Sequence, residues 1–289
     1  MKEELKEQIR NKPILYSLIV FIICLVIRIV EYFMIKTDST FLAENFIHKL
    51  LGIGILVCVL KIMKYQFKDI GFEKNKFLRY VIDGLLLEGT CFGISYWIEY
   101  SILYANAKNP SFGFFANGFS LIGNEVKHTE MIFFILCILL NIVNVIMEEG
   151  LFRGFFLKII KNKNSFWKSN LIVALLFGLW HFVMPLRLFI NGEINFISLI
   201  IMILGYILLA GIMSIKWGML YQITGSLWMG IGDHLLNNVI ATNLLHVITN
   251  TGADEWQIGR ILIAQIISFL IVSILYQRRK LKTQNNIDK

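Results

Sequence analysis

Proline is nearly missing from this chain, three residues in 289. Helices built from it therefore meet almost no built-in breaks. Charge is also sparse: 17% of the residues are Asp, Glu, Lys or Arg, against about a quarter in soluble domains. Hydrophobic residues make up 56%. That balance excludes an ordinary soluble globule. Cysteine is limited to Cys24, Cys58, Cys91 and Cys137, all within apolar runs and none in a C-x-x-C pair. They read as small buried hydrophobes, not as ligands or disulfide partners. There is no internal repeat, low-complexity tract or separable soluble domain, and no His-Glu-x-x-His zinc signature.

What the chain has instead is long apolar runs. A bilayer core about 30 Å thick needs roughly 20 apolar residues per helix. The sequence places such runs near 14–34, 45–63, 77–101, 130–158, 168–186, 195–215, 222–247 and 257–276. The fold class expected is an all-α, polytopic transmembrane bundle of about eight spans. The charged segment Met1–Lys12 carries no small-x-small cleavage pattern and reads as the lead into a retained first helix. The longest connection, about 101–129, contains Gly113, Phe114, Phe115 and Gly118 and is expected along the membrane interface.

The net charge of +8 sits in the short connections between these runs. That placement sets topology and meets anionic headgroups, and it argues against a nucleic-acid partner. With the N-terminus inside, the cytoplasmic segments hold 21 Lys and Arg, counting Arg153 and Lys216, and the outer ones hold 5. The positive-inside rule then puts both termini in the cytoplasm, which an even number of spans allows.

Ionisable groups inside spans are expensive and point to function by default. Three sets stand out. In Glu148-Glu149-Gly-Leu-Phe-Arg153, neighbouring carboxylates diverge by about 100° on a helix, so the two do different jobs. Glu149 and Arg153 are i,i+4 with the acid first, the better order for an ion pair. Glu148 then faces elsewhere, where desolvation suits a carboxyl to general-base work. A charged helix end at the cytoplasmic interface would give the same letters. In Phe177-Gly-Leu-Trp-His181 the ring can pack beside the imidazole, although a lone intramembrane His is more often a packing residue. His234-Leu-Leu-Asn-Asn238 sets an imidazole near a carboxamide, two donors for one oxygen or polar glue between helices. Counting along the expected helices brings the three sets to one level. Glu148 and His181 stand about 18–20 Å from the turn at 161–165, and His234 about 12 residues past Gln222.

Taken together, Glu148-Glu149-x-x-x-Arg153, Phe177-x-x-x-His181 and His234-x-x-x-Asn238 resemble the three motifs of the CPBP family of intramembrane proteases. That family includes type II CAAX prenyl endopeptidases and bacteriocin-processing enzymes. The resemblance covers about 125–245. It implies an endopeptidase acting on a membrane-associated peptide or protein. Glu148 and His181 would activate water, His234 and Asn238 would stabilise the oxyanion, and Glu149, Arg153 and Phe177 would support them. A metal-free site is favoured; if a divalent metal such as zinc binds, Glu148, His181 and His234 are the donors. The division expected is 1–124 for N-terminal helices and interfacial loop, 125–247 for the catalytic core, and 248–289 for a last helix and basic tail. Lys-, Ile- and Asn-rich usage suggests a bacterial plasma-membrane protein from an AT-rich genome.

Two other classes compete. One is a non-catalytic scaffold or bacteriocin self-immunity protein on the same fold. The other is a proton-coupled transporter, which usually shows a repeated half. Among the remaining polar residues, Arg28 and Glu31 are expected to pair or to face the interface, and Asp83 and Glu88 to play a structural part. Asn141, Asn144, Trp180 and Asp233 are candidates to support the motif residues. His48, His128 and His246 read as ordinary polar residues, and the Lys-rich stretch 61–79 as a solvated connection.

Overall fold

The computed structural model describes residues 2–40, 44–117 and 127–287; Gly118 of the long connection lies outside them. Its helices are α1 (Lys2–Asn11), α2 (Pro13–Val30), α3 (Ile47–Met63), α4 (Phe77–Ala105), α5 (Met131–Glu149), α6 (Leu157–Lys161), α7 (Phe166–Trp180), α8 (Val183–Ile190), α9 (Phe196–Thr224), α10 (Trp228–Leu236) and α11 (Gln257–Ile287). Two strands, β1 (Ser111–Phe114) and β2 (Leu245–Ile248), pair antiparallel. The ends are set by local chemistry. Pro13 opens α2 in the first turn, where its missing N–H costs nothing. Ser165 and Asn195 cap α7 and α9 by accepting the backbone N–H of Lys168 and Ser198. Gly225, at φ +71°, closes α9 in the left-handed region.

The protein is an all-α polytopic helical chain, with six stretches long and apolar enough to cross a membrane among the described residues. These are Pro13–Ser39, Phe77–Ala105, Met131–Lys161, Phe166–Ile190, Phe196–Thr224 and Gln257–Lys282. Two expected spans do not appear among them. Helix α3 has only 17 residues. The expected 222–247 helix is not one helix: α9 runs on to Thr224, α10 has 9 residues, a π-helix takes Asn237–Leu244, and β2 follows. Arg153 and Lys216, counted above with the inner connections, and Arg260, counted with the outer ones, are buried inside spans, leaving 19 lysines and arginines against 4. The connection after α4 contributes β1, in register Ser111↔Ile248 to Phe114↔Leu245, a pairing that periodicity in a Gly- and Phe-rich loop did not announce.

The chain divides into two compact units, each discontinuous in sequence: Met1–Lys76 with Ile146–Leu227, and Phe77–Val145 with Trp228–Lys289. In the first, the buried run from Met147 to Leu157 is covered on every side, as expected of a central helix and not a surface one. Phe152 lies at its centre, in ring contact with Phe21, Phe156, Phe177 and Trp180. The stretch 61–79 is not simply solvated: Ile70 is fully buried and packs at Gly154. Of the four cysteines, all free, Cys58 is exposed and the others are buried.

In the second unit α4 packs against α10 and α11. The α4–α10 crossing is a backbone contact. A Cβ on Gly84 would stand 2.1 Å from the Met229 carbonyl oxygen, and one on Gly232 would stand 2.3 Å from that of Val81. Small residues at both positions are what lets the helices meet this closely. A second lock holds the strands. The Asp254 carboxylate accepts from His246 Nδ1 at 2.5 Å and from Arg260 Nη2 at 2.9 Å, and Arg260 also pairs with Glu99 at 2.8 Å. Burial pushes the Asp254 carboxyl up, but the bonds from His246 and Arg260 outweigh it and hold it below the usual carboxylate range.

Two outcomes follow. Gly232→Val should lower the thermal stability of the detergent-solubilised protein by more than the ~1–3 kcal/mol of ordinary overpacking, because backbone atoms must move. Gly93→Ala, with nothing within 4 Å of its added Cβ, should be near neutral in the same assay. A lowered folded-state pKa contributes stability above the ordinary Asp value that is lost as pH falls through the folded value. Wild-type melting temperature should therefore drop below about pH 4, and Asp254→Asn should flatten that limb.

Candidate functional site

All three motifs sit where α-helical regularity breaks. Helix α5 ends at Glu149 and continues as a π-helix, Gly150–Phe156, in which the Leu157 N–H reaches back five residues to Phe152 O. Such widened turns recur at functional sites. Glu148 and Glu149 are thus the last α-helical residues before the bulge, and both are buried. Glu149 Oε1 lies 3.3 Å from Arg153 Nη1, the i,i+4 pair read from the sequence. The Arg153 guanidinium is fully buried, 4.2 Å from the Phe177 ring centroid and 4.7 Å from that of Trp217. The two aromatic faces supply attraction that the apolar surroundings otherwise lack.

Glu148 is held differently. Its Oε1 accepts the indole Nε1–H of Trp180 at 2.9 Å. Trp180 is itself fixed by a residue far away in sequence: Arg28 Nη1 donates to its carbonyl at 2.9 Å, and the guanidinium lies 4.5 Å over its ring. Arg28 does not pair with Glu31, contrary to expectation. Glu31 accepts from Thr37 Oγ1, from the N–H groups of Ile47 and His48, and contacts the His48 ring at 2.5 Å. That His48 ring lies 5.9 Å from Trp180. Periodicity could not have shown Arg28 or His48 meeting Trp180. The only signal was their presence in apolar surroundings.

His181 follows Trp180 directly, at the break between α7 and α8. The expected continuous 168–186 helix is therefore interrupted at the motif. Its Nδ1 lies 2.8 Å from Phe177 O. A carbonyl only accepts, so Nδ1 carries a proton, which in the neutral imidazole leaves the lone pair on Nε2. Phe177 packs edge-on to the imidazole at 4.9 Å, and Tyr206 lies parallel to it at 6.3 Å. Gly178 permits this part of α7 to approach α9, since a Cβ there would meet Ile207 O at 2.8 Å.

In the other unit, His234 is buried on α10, and Asn238 is the second residue of the π-helix Asn237–Leu244. The i,i+4 spacing thus crosses from α to π winding. His234 stands six residues past Trp228, about 9 Å along its helix, not 12 residues past Gln222. Gln222, from which the sequence count began, lies inside α9 and not at the start of the His234 helix. Asn237 Nδ2 donates to Asn238 Oδ1 at 2.9 Å, so Asn238 has its amide nitrogen left as the donating end. Asp83 pairs with Arg79 at 3.7 Å, whereas Glu88 is fully buried and accepts from Gln265. His246 is the ion-pair partner of Asp254 described above, and His128 stacks on Phe133. Among the described residues, no group of three or more His, Cys, Asp or Glu side chains is placed to hold a metal ion.

Two buried carboxylates and a half-buried imidazole stand at helix breaks within the apolar spans of a multi-pass membrane protein, where ionisable groups are expensive and point to function. Residues 130–240 match the family model described as Type II CAAX prenyl endopeptidase Rce1-like, in agreement with the CPBP resemblance. The matched segment contains Glu148, Glu149, Arg153, Phe177, His181, His234 and Asn238. No curated protein matches the chain.

Removing either partner of a buried ion pair strands the other charge, at a cost of about 3–5 kcal/mol. Glu149→Gln and Arg153→Met should each sharply reduce the melting temperature and membrane yield. The double variant should recover much of the loss. Equal or additive losses would show that the pair is not the unit of stability here.

Proposed function

We propose that the chain is an intramembrane endopeptidase that hydrolyses a peptide bond in a membrane-associated peptide or protein. The observation that carries this reading is the family match over 130–240, which takes in every motif residue. The local chemistry supports it. Glu148, steadied by the Trp180 N–H, and His181, with Nε2 as its basic nitrogen, are suited to take a proton from water. The water oxygen bonds to the scissile carbonyl carbon, the carbonyl oxygen becomes an oxyanion, and the leaving amine receives the proton as the C–N bond breaks. By the resemblance, His234 and Asn238 donate to that oxyanion, and the amide orientation of Asn238 suits the task. Glu149 and Arg153 hold the widened helix that presents Glu148.

The reading routes no step through a metal. The resemblance would make Glu148, His181 and His234 the donors of a divalent metal, but no such group of three is placed to hold one among the described residues, and a zinc chelator tests the point by leaving activity unchanged or abolishing it. Prenylated Cys peptides, peptide pheromones and bacteriocin precursors are the substrate classes considered. Lys-, Ile- and Asn-rich usage, read as that of a bacterium with an AT-rich genome, favours a substrate without a prenyl group in a plasma-membrane setting. A scaffold or self-immunity protein on the same fold is the competing reading.

Comparison of membrane peptide profiles from cells carrying wild-type and Glu148→Gln protein tests the proposal. Specific peptides should vanish with Glu148→Gln and with His181→Ala, while both variants still insert. Asn238→Ala should slow cleavage by ~10²–10³-fold. Trp180→Phe, which keeps the ring but loses the N–H, should slow it less. Undiminished cleavage in both Glu148→Gln and His181→Ala would refute the assignment.

A further inference from the structure

The second unit contains a chain of amide hydrogen bonds that ends on Asn238. Glu88, on α4, is fully buried, and its Oε1 accepts from Gln265 Nε2 of α11. The same nitrogen donates to Asn237 Oδ1 at 3.2 Å. Asn237 Nδ2 then donates to Asn238 Oδ1 at 2.9 Å. Gln265 is 2% exposed and Asn237 is 7% exposed, whereas Asn238 is only half-buried.

A side-chain amide has two chemically different ends, and each can be reversed by a half-turn at a modest cost unless its neighbours forbid it. Here every junction forbids it. Gln265 spends both amide hydrogens, one on the Glu88 carboxyl and one on Asn237. Turning Gln265 over would set oxygen against oxygen at both contacts. With Gln265 fixed, Asn237 must present its oxygen inward and its nitrogen to Asn238. Asn238 then has its oxygen occupied and its NH2 as the donating end. Neighbouring residues on an α-helix diverge too far for such a side-chain bond. The π-helix that begins at Asn237 widens the turn, and Thr242 Oγ1 donates to the Asn237 carbonyl five residues back, within that turn. The close α4–α10 crossing at Gly84 and Gly232 and the packing of α11 on α4 keep the Glu88 end in place.

We propose that Glu88, Gln265 and Asn237 are positioning residues that fix the amide polarity of Asn238, so that it offers N–H donors and not its carbonyl oxygen. The inference rests on the oxyanion role proposed for Asn238. A developing oxyanion is repelled by an amide oxygen and stabilised by an N–H, so the orientation decides whether Asn238 helps or hinders.

The test uses the full-length protein in detergent micelles or proteoliposomes, with the peptide reporter that the wild-type protein cleaves. Gln265→Met keeps the side-chain volume and removes both donors. Asn237→Asp replaces the donor facing Asn238 with an acceptor. Gln265→Met should lower kcat by about tenfold with KM unchanged, and Asn237→Asp should approach the ~10²–10³-fold loss of Asn238→Ala. Combined with Asn238→Ala, neither should reduce kcat further, because both act through that amide. Glu88→Gln, which keeps an accepting oxygen, should lose least. Unchanged kcat in Gln265→Met, or a loss that multiplies with Asn238→Ala, would overturn the proposal.

A readout independent of hydrolysis covers a failure of the oxyanion reading. In protein labelled with 15N at asparagine side chains, the Asn238 NH2 signals are identified by their absence in Asn238→Ala. They should shift and broaden in Gln265→Met and Asn237→Asp. If they stay in place, the positioning chain is refuted. If they move while Asn238→Ala retains full activity, the chain stands and the catalytic role of Asn238 falls.

Discussion

A charge taken out of water into an apolar helical interior must be met by something, and at Arg153 it is met by one carboxylate and two ring faces, with no hydrogen bond to any of the three guanidinium nitrogens among the described residues. Its guanidinium is buried within the most thoroughly enclosed helix of its unit. Glu149 supplies the opposite charge and Phe177 and Trp217 supply their ring faces. Much else is fixed as a result. Pairing Glu149 with Arg153 separates the two adjacent carboxylates by function and releases Glu148 to the Trp180 N–H. Packing Arg153 on Phe177 draws in the same residue whose carbonyl sets the His181 tautomer. One buried cation thereby orders both the acid and the imidazole of its unit.

Regular α-helix would not serve such groups well. A continuous helix satisfies its own backbone and offers side chains at fixed angles. A π-bulge or a break changes the angle and frees backbone groups that must then be satisfied locally. Glu148 precedes one π-helix, Asn238 lies inside another, and His181 stands in the gap between two helices. Of the three prolines, Pro185 lies four residues past His181 and lacks the N–H that would bond the His181 carbonyl, so ring geometry contributes to that break, whereas no proline lies in either π-helix.

The membrane class was legible because it depends on composition and run length, which do not require knowledge of contacts. So was the Glu149–Arg153 pair, since i,i+4 neighbours meet wherever the local winding allows. Phe177 against His181 followed for the same reason. The start of the His234 helix was not legible, because the apolar run continues through Gln222, whereas α9 ends at Thr224 and α10 starts at Trp228 after a turn. The bonds that reach across the chain were invisible: Trp180 to Glu148 spans 32 residues, Arg28 to Trp180 spans 152, and Gln265 to Glu88 spans 177. No periodicity encodes such distances. A polar residue in an apolar run signals that a partner exists, and the fold alone says which.

The account turns on whether water, activated at Glu148, cleaves a peptide bond. The most direct measurement is mass spectrometry of peptide products formed by the reconstituted protein in 18O-enriched water. The account predicts new C-terminal carboxylates carrying one solvent-derived 18O for the wild-type protein, and no such products for Glu148→Gln. Identical product spectra for the two proteins, labelled or unlabelled, would contradict it.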